Sequence, residues 1–404
     1  SAYVDVFLNG ICLVPGTDYT ASTKTSIVLT QAASLNDTLE VVAYDIASMS
    51  DMSASNGGTF QADVTFAAGA DIITATAGTD NVRLGEGAGD SIASGGNNNV
   101  AIGKNAGTSI STGDHNTAVG YNALDAMTTS SYNTAIGSNA ATAVTTGQRN
   151  TALGYGALQT DTQGDRATAI GFNALGTQNS STSNYNVGVG YDAGGAITTA
   201  THNTLVGSLV GDALTSGSAN VAIGGGADYA ALGSDTQGKF TTAIGFGALR
   251  AQNFTSDTAS NNVAVGYFAG GVMTTGTGNT FLGSLAGDDC VDGVGNTAVG
   301  HGALSADAGN SNTAVGQSAA HGSTGTENTC IGGEAGYSLT DGGKNTFLGY
   351  GAGYHVAGGN DNTIVGKFNG NQDNTDIRNT NDQIAISNGD GNVRIFCNTE
   401  GYVK

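Results

Sequence analysis

The hydrophobic and polar positions of this chain recur in a nine-residue pattern, Asn-(Thr/Val)-x-(Ile/Leu/Val)-Gly-x-x-Ala-x. Seventeen copies follow one another at steps of 16 to 21 residues, most often 17. Their first residues are 81, 99, 116, 133, 150, 167, 186, 203, 220, 241, 262, 279, 296, 312, 328, 345 and 362. A fixed period of this length is typical of a solenoid in which each repeat forms one coil. The pattern predicts a parallel β-solenoid over residues 81–370.

The second and fourth repeat positions predict a short β-strand in each coil. The second is Thr or Val and the fourth is Ile, Leu or Val in every copy. Residues two apart share a strand face, and we expect this pair to face the coil interior. The third residue, usually Ala, is then expected to face outward. In later coils it is larger, as in Leu205, Phe281, Cys330, Phe347 and Ile364.

An outward apolar row of this kind needs a covering partner, and an identical chain is the simplest cover. Closing three copies around a common axis would bury the row and stiffen a thin stack. The interpretation therefore predicts a homotrimer. The eighth position, Ala in 15 of the 17 copies, suits either a narrow interior or a close neighbouring chain.

The first and fifth positions carry residues with a backbone role. The fifth is Gly in every copy, which indicates a corner with positive φ or a contact too close for a Cβ atom. The first is Asn except at Ala167 and Thr241, and stacked Asn amides can form a hydrogen-bonded ladder. Structural residues of these two kinds include Asn116, Gly120, Asn133, Gly137, Asn150, Gly154, Asn296, Gly300, Asn312 and Gly316.

The pattern changes at both ends of the chain. Alternating segments around the hairpin signal Asn9-Gly10 predict a small β-sandwich-like module over residues 1–47. Residues 48–80 are expected to form a Ser/Gly-rich linker and two lead-in strands. Residues 371–404 leave the period, and segments 383–387 and 392–396 predict a hairpin that caps the stack.

Composition excludes several classes of protein. The 404 residues include 66 Gly but one Pro, so neither a conventional packed core nor collagen fits. The net charge of −21 disfavours binding to nucleic acid or anionic membranes. No run reaches the ~20 apolar residues of a membrane span. Segment 4–14 is apolar but contains Asp5 and lacks a basic region before it, so we do not interpret it as a signal peptide.

The cysteines and acidic residues give little sign of a metal centre. Cys12, Cys290, Cys330 and Cys397 form no Cys-x-x-Cys pair, and we expect four lone thiols rather than a zinc site. Asp288, Asp289 and Asp292 are candidate Ca²⁺ ligands, although an ordinary charged loop is the interpretation we favour. The five histidines have no metal-binding spacing. His115 and His202 precede repeat Asn residues and are expected to be solvent-facing.

The sixth repeat position offers a candidate binding surface. It is aromatic in several coils, and the receptor-binding candidates are Tyr121, Tyr155, Phe172, Tyr191, Phe246 and Tyr267, with Tyr350 in a later coil. One interpretation is a stacking surface for the sugars of a host glycan. The alternative, which we favour, is a ladder of rings that packs on itself and covers Gly-rich backbone.

Coil length points to a second set of candidates. The longest coils start at residues 167, 220 and 241, and their extra residues are assigned to segments 176–184, 232–239 and 252–261. Loops on a rigid scaffold often carry binding function, and tolerated insertion is the alternative. The chain shows no catalytic constellation, since Asp and Glu recur at no fixed coil position. A hydrolase that uses paired carboxylates remains an alternative.

Two resemblances follow from these motifs. The segments 116–120 (Asn-Thr-Ala-Val-Gly), 133–137 and 312–316 resemble the head repeats of trimeric autotransporter adhesins. The order of modules is similar to that of tail-fibre proteins of bacteriophages with marine or cyanobacterial hosts. There, a module resembling segment 4–19 precedes the repeats and an ending like 376–391 follows them. The chain departs from the adhesins because it lacks a coiled-coil stalk and a membrane anchor.

The phage resemblance implies a homotrimeric tail fibre in the virion, without enzymatic activity and without a cofactor. Its implied partners are other tail proteins and a glycan or protein on the host surface. A bacterial surface adhesin or extracellular filament subunit is the main alternative. A polysaccharide-degrading spike and an ice-binding solenoid are further alternatives. The ice-binding solenoid is disfavoured because Thr recurs at one position per coil and so forms a single column along the stack, not a flat array of two columns.

Overall fold

The computed structural model describes residues 3–23, 26–34, 37–44, 77–372 and 374–401. The described residues form β-strands and turns with no helix, so none of their segments is a helix that could cross a membrane. The chain divides into two compact units, residues 1–72 and 73–404. The predicted all-β class with a large parallel solenoid is confirmed.

The first unit contains two small antiparallel sheets. In one, β1 (Tyr3–Leu8) pairs with β2 (Ile11–Cys12) and with β5 (Leu39–Tyr44); in the other, β3 (Tyr19–Thr23) pairs with β4 (Ser26–Leu29). Asn9 and Gly10 both have positive φ between β1 and β2, as the hairpin signal predicted. The predicted linker 48–58 and the lead-in strands of 59–76 lie outside the described residues.

The second unit is a stack of short parallel strands that pair residue for residue with the next coil, as Thr117 does with Thr134. Each of the 17 repeats contributes one three-residue strand. These strands are β6 (Val82–Leu84), β7 (Val100–Ile102), β8 (Thr117–Val119), β9 (Thr134–Ile136), β10 (Thr151–Leu153), β11 (Thr168–Ile170), β12 (Val187–Val189), β13 (Thr204–Val206), β14 (Val221–Ile223), β16 (Thr242–Ile244), β18 (Val263–Val265), β19 (Thr280–Leu282), β20 (Thr297–Val299), β21 (Thr313–Val315), β22 (Thr329–Ile331), β23 (Thr346–Leu348) and β24 (Thr363–Val365). Two long coils add a small parallel pair, β15 (Gly238–Lys239) and β17 (Thr258–Ala259).

The C-terminal segment adds one more strand to the stack before the stack ends. Strand β27 (Ile384–Ser387) pairs in parallel with β24 and forms one further rung, and β28 (Val393–Cys397) pairs with it antiparallel. The backbone N–H of Gln383 donates to Asn362 Oδ1 at 3.0 Å, as a repeat Asn would. A short hairpin of β25 (Asn371–Gln372) and β26 (Thr375–Asp376) comes before this rung.

The asparagine ladder and the glycine corner are both present. From coil to coil the backbone N–H of one repeat Asn donates to Oδ1 of the Asn before it, at 2.8 Å for Asn99 on Asn81 and 2.9 Å for Asn116 on Asn99. The side-chain Nδ2 donates to a carbonyl at the end of its own coil. All 17 corner glycines have φ between +105° and +143°, and a Cβ on Gly103 would lie 2.7 Å from the Gly120 carbonyl oxygen.

The orientation predicted for the strand is wrong. From the second repeat onward the third residue is fully buried inside the coil, whereas the second and fourth residues face outward and stay partly exposed. The interior is narrow, and most of it is filled by Ala118 and its equivalents together with large side chains from the turn segment, such as Leu124 and Met127. Because the third position is inside the coil, it needs no covering partner and gives no support to a homotrimer.

Variation at the third position reflects interior volume. Where it is Ala, the ninth repeat position is often Leu, as in the pair Ala118 and Leu124. Where it is Phe281 or Phe347, the ninth position is Gly, and a Cβ on Gly287 would lie 2.6 Å from the Phe281 ring. Large and small residues thus exchange places across the coil and keep its volume nearly constant.

Candidate functional site

The aromatic residues after the glycine corners lie on the outer surface. The six receptor-binding candidates keep between 40 and 54 % of their surface exposed. The corner glycine reverses the chain at this point, so the next side chain projects away from the coil. Tyr350 projects likewise, and its hydroxyl lies 3.1 Å from Glu334 Oε2.

Five of these aromatic residues, together with Tyr229, form two runs of neighbouring rings, which we name the corner ladders, whereas Tyr121 stacks on no other ring of the described residues. In the first, Phe172 stacks on Tyr155 at 5.2 Å and on Tyr191 at 5.4 Å between ring centroids. In the second, Phe246 lies 5.3 Å from Tyr229 and 5.9 Å from Tyr267. Phe172 therefore has both faces covered by neighbours, and Phe246 has one face covered by Tyr267 and a tilted contact with Tyr229. This geometry matches the self-packed ladder, in which edges and hydroxyl groups rather than ring faces meet the solvent.

Tyr229 belongs to the second corner ladder, and this shows where the extra residues of its coil lie. The N–H of Ala231 donates to the Gly224 carbonyl at 2.9 Å, although seven residues separate them, whereas Ala157 N–H makes the equivalent bond to Gly154 three residues earlier. Residues 225–228 are therefore the insertion. The assignment to segment 232–239 is wrong because that segment follows the regular course of the coil.

The other two long segments are only partly surface loops. In segment 176–184, Gln178 and Asn184 are fully buried, and in segment 252–261 the same is true of Gln252 and Ser260. Their neighbours 181–182 and 255–257 are exposed. The extra length thus serves both the interior and the surface.

The buried glutamines repair the two gaps in the asparagine ladder. At Ala167 the ladder lacks an amide, and Gln178 Oε1 accepts from Asn186 Nδ2 at 2.8 Å. At Thr241 the same role falls to Gln252, which accepts from Asn262 Nδ2 at 2.9 Å. These substitutions occur together in both places, so they are parts of one structural unit.

Each glutamine also donates to a buried aspartate in the coil before it. Gln178 Nε2 lies 2.6 Å from Asp161 Oδ2, and Gln252 Nε2 lies 2.6 Å from Asp235 Oδ2. Burial raises the pKa of Asp161 above its ordinary value. Both aspartates are sealed inside the coil and bonded to backbone N–H groups, which is a structural arrangement rather than an accessible acid–base centre.

A groove of about 470 Å³ lies beside the first corner ladder. Amide, hydroxyl and carboxylate side chains dominate its polar lining, a donor and acceptor set that suits a hydroxyl-rich ligand. Burial raises the pKa of Asp212, and the charge of Asp192 raises it further. The lining residues are Gln159, Thr160, Asn173, Gly176, Thr177, Asp192, Gly195, Ala196, Leu209 and Asp212.

A smaller groove of about 230 Å³ shares Asp212 with the first and extends towards the insertion. Its lining includes Asp228 and Arg250. The Arg250 guanidinium lies over the rings of Tyr229 and Phe268, at 5.3 Å from each centroid. The insertion, the second corner ladder and this arginine therefore form one continuous surface.

The structure brings together a third row that sequence reasoning missed. The residue before the first repeat position is aromatic or basic in six successive coils, namely His115, Tyr132, Arg149, Arg166, Tyr185 and His202. All six have left-handed backbone, with φ between +52° and +64°. We name this row the basic ladder. The prediction that His115 and His202 are solvent-facing is confirmed, but each also stacks on the neighbouring tyrosine. The shared repeat position was the signal that would have revealed the row.

The cysteines and aspartates considered as metal ligands do not come together in a shared site. All four cysteines are free thiols; burial raises the pKa of Cys290 to about 11 and that of Cys330 to about 12. Across residues 77–372 and the other described segments, no three His, Cys, Asp or Glu side chains meet as a possible cation site, and Asp288, Asp289 and Asp292 do not form one.

Comparison with known proteins adds no relative to this description. No protein-family model matches the chain, no curated protein shows significant similarity to it, and neither does any solved structure. Function is therefore inferred from the sequence and from the geometry of the stack.

Proposed function

We propose that the chain is the shaft and contact region of a homotrimeric phage tail fibre, which attaches the virion to a glycan or protein on the host surface. The observation that carries this proposal is the pairing of a long rigid stack with exposed aromatic and polar rows along its sides. With strands about 4.8 Å apart, 17 coils span on the order of 80 Å. Such a rod suits transmission of contact over distance better than enclosure of a small substrate.

The outward strand face supports the trimer. Its fourth repeat position is aliphatic in every coil and is 36 to 66 % exposed at the residues that follow. They are Leu84, Ile136, Leu153, Ile223, Leu282, Ile331, Leu348 and Val365. A continuous row of this length is unusual on a monomer. Because the row repeats once per coil, the same row on two further copies matches its spacing.

Light scattering on the purified chain tests this assembly. We expect a trimer at micromolar concentration, and we expect the double variant Leu153→Lys, Leu282→Lys to dissociate because six charges would enter the interface. Val14→Lys, an exposed aliphatic of the first unit, is the control. A parent chain that is monomeric at this concentration would refute the trimer.

Attachment is tested with fluorescent protein on host cells. Deletion of residues 225–228 combined with Tyr229→Ser removes the insertion and one end of the second corner ladder, away from the interior. We expect weaker cell binding with an unchanged oligomeric state. The control, Tyr350→Ser, removes an aromatic residue at the same repeat position outside both ladders. If neither the parent nor any variant binds host cells, an adhesive role is excluded.

One observation favours a second candidate function, a polysaccharide-degrading spike. Asp212 is a half-buried carboxyl with a raised pKa in the same groove as Asp192, a pairing used by glycosidases for acid and base steps. The test is release of reducing ends from host polysaccharide by the parent and by Asp212→Asn. Release that Asp212→Asn abolishes would establish this alternative over simple adhesion.

A further inference from the structure

We propose that the basic ladder is a binding site for an anionic polysaccharide, one whose carboxylate or sulfate groups repeat along the polymer. This inference deepens the proposed function, since it names the class of surface molecule that one face of the fibre would hold. It concerns His115, Tyr132, Arg149, Arg166, Tyr185 and His202, which occupy one repeat position in consecutive coils.

The ladder is built by stacking between neighbouring coils. His115 and Tyr132 stack at 5.2 Å with an interplanar angle of 9°, and Tyr185 and His202 stack at 4.9 Å. The guanidinium of Arg149 lies 5.7 Å from the centre of the Tyr132 ring, and that of Arg166 lies 5.3 Å from the centre of the Tyr185 ring. The order is thus a near-symmetric His-Tyr-Arg-Arg-Tyr-His.

This stacking determines what a ligand would meet. Tyr132 and Tyr185 each have a histidine over one face and an arginine over the other, so these two rings present their edges to the outside. The edge of an aromatic ring is its positive region, and the polar groups there include tyrosine hydroxyls, imidazole nitrogens and guanidinium N–H donors. A row rich in donors selects ligands rich in acceptors, and carboxylate or sulfate oxygens are the strongest of these.

The charge of the ladder is local and partly uncompensated. Arg149 takes part in no ion pair with the described residues, and its Nη1 lies 3.4 Å from Gln148 Oε1. Arg166 contacts Ser183 Oγ at 2.5 Å and Asp165 Oδ2 at 3.8 Å. Asp165 Oδ1 in turn accepts the Gln148 N–H at 2.6 Å. Arg149 is therefore the main anchor for an anion.

The acidic neighbour on the other side is similarly engaged. Asp114 Oδ1 accepts the backbone N–H of Asn97 at 2.7 Å, so this carboxylate serves the coil below it. The chain as a whole carries 12 Lys and Arg against 33 Asp and Glu. A polyanion is repelled by most of such a surface, and this confines binding to the ladder.

The extent of the ladder favours a polymer over a single sugar. Five steps of about 4.8 Å give a row of roughly 24 Å. The row ends at both sides, because the same repeat position is Asn98 before it and Ala219 after it. A ligand that repeats along its length can contact several rungs at once and gain from each.

The experiment measures binding of the intact protein to immobilised polygalacturonate, which carries carboxylates, and to dextran sulfate, with neutral dextran as the reference. We expect binding to at least one anionic polymer, little to dextran, and a decrease as salt rises from 50 to 500 mM. Preference for the first or the second polymer distinguishes carboxylate from sulfate recognition. Absence of binding to both would overturn the proposal.

Matched variants assign any binding to the ladder. Arg149→Gln should weaken it about tenfold, as expected for loss of a charge-assisted hydrogen bond. Lys344→Gln removes the same charge from the same repeat position in a later coil, where the backbone is also left-handed with φ +59°. It should leave binding unchanged. Equal losses in the two variants, or equal binding of single-stranded DNA, would mean a non-specific polyanion effect and would overturn the proposal.

The outcome is separable from that of the proposed function. Host-cell binding by the parent and by Arg149→Gln is measured in parallel. Cell binding without any polyanion binding refutes the ladder site and leaves the fibre proposal standing. Polyanion binding through Arg149 without cell binding supports the ladder site and counts against attachment.

Discussion

The ring of Phe347 occupies the space that a side chain on Gly353 would need: a Cβ placed on that glycine would lie 2.8 Å from the ring. Elsewhere in the stack the same two positions hold a small residue and a leucine, as in Ala152 and Leu158. Both leucine and glycine adopt positive φ at this position, with values of +53° at Leu158 and +63° at Gly353. The two sites therefore form an exchangeable pair.

This relationship predicts a rescue. Phe347→Ala should lower the free energy of unfolding by about 3–5 kcal/mol because it leaves a cavity. Gly353→Leu alone should destabilise through overpacking. The double variant recreates the Ala and Leu pair of other coils, so it should be more stable than either single variant. Thermal and denaturant unfolding measure the coupling, and additive effects would contradict the shared interior space.

The corner glycines predict strong sensitivity to a branched side chain. Gly154 has φ +135°, and a Cβ there would overlap the carbonyl group of Gly171 in the next coil. Gly154→Val should cost at least about 1–3 kcal/mol per chain from backbone strain. Gly389→Ala is the matched control, since its surroundings are open and its φ is not positive. An unchanged melting temperature for Gly154→Val would disprove the role of the corner.

We predict that each buried aspartate is more stabilising than the aliphatic residue found at the same repeat position in other coils. Other coils carry an aliphatic residue where Asp161 stands, as at Val144 and Ile197, so averaging over the repeats would favour an aliphatic residue. Asp161 accepts from Gln178 Nε2, from Asn184 Nδ2 at 3.0 Å and from Gly164 N–H at 2.9 Å. Asp161→Leu should therefore destabilise by about 1–3 kcal/mol for each donor left without an acceptor.

Asp235→Leu should show the same loss in the second unit of this kind, because Asp235 accepts from Gln252, Gly238 and Phe254. Val144→Leu, a change of similar size in an apolar coil, is the control and should cost less. Denaturant midpoints compare the three variants. A gain in stability for either aspartate variant would show that the buried hydrogen bonds contribute little.

We predict that the four cysteines differ in their reactivity towards a thiol reagent. A thiol reagent at pH 8 should modify Cys12 and Cys397 in the native protein and reach Cys290 and Cys330 only after unfolding. Burial raises the pKa of the latter two to about 11 and about 12. Since the folded state holds these protons more tightly, their contribution to stability is complete below the ordinary thiol pKa near 8.5 and is lost as pH rises towards 12. Cys290→Ala combined with Cys330→Ala should flatten this alkaline decline; modification of four native thiols at pH 8 would contradict the burial.

The repeat signal determined much of the fold without tertiary information. The fifth position of every repeat is Gly, which meets the need for a positive φ in each coil. The first position of nearly every repeat is Asn, which supplies an acceptor for the backbone N–H group of the next coil. Requirements of this kind are local and identical from coil to coil. The parallel stacking, the 17 repeat coils and the two ladder gaps could therefore be read from the sequence, whereas the additional rung formed by β27 lies outside the repeat pattern.

The tertiary structure alone decided which strand face is inside. A strand such as Thr117–Val119 is apolar enough on both faces to fit either orientation, so alternation could not choose. The choice depends on interior volume, which the turn side chains Leu124 and Met127 already fill, leaving room for Ala118 but not for Val119. The true insertion at 225–228 was hidden for a related reason, because its place depends on which residues of neighbouring coils lie side by side, and only the hydrogen bonds between coils establish that alignment. The basic ladder, by contrast, could have been found from the repeat position that its six residues share.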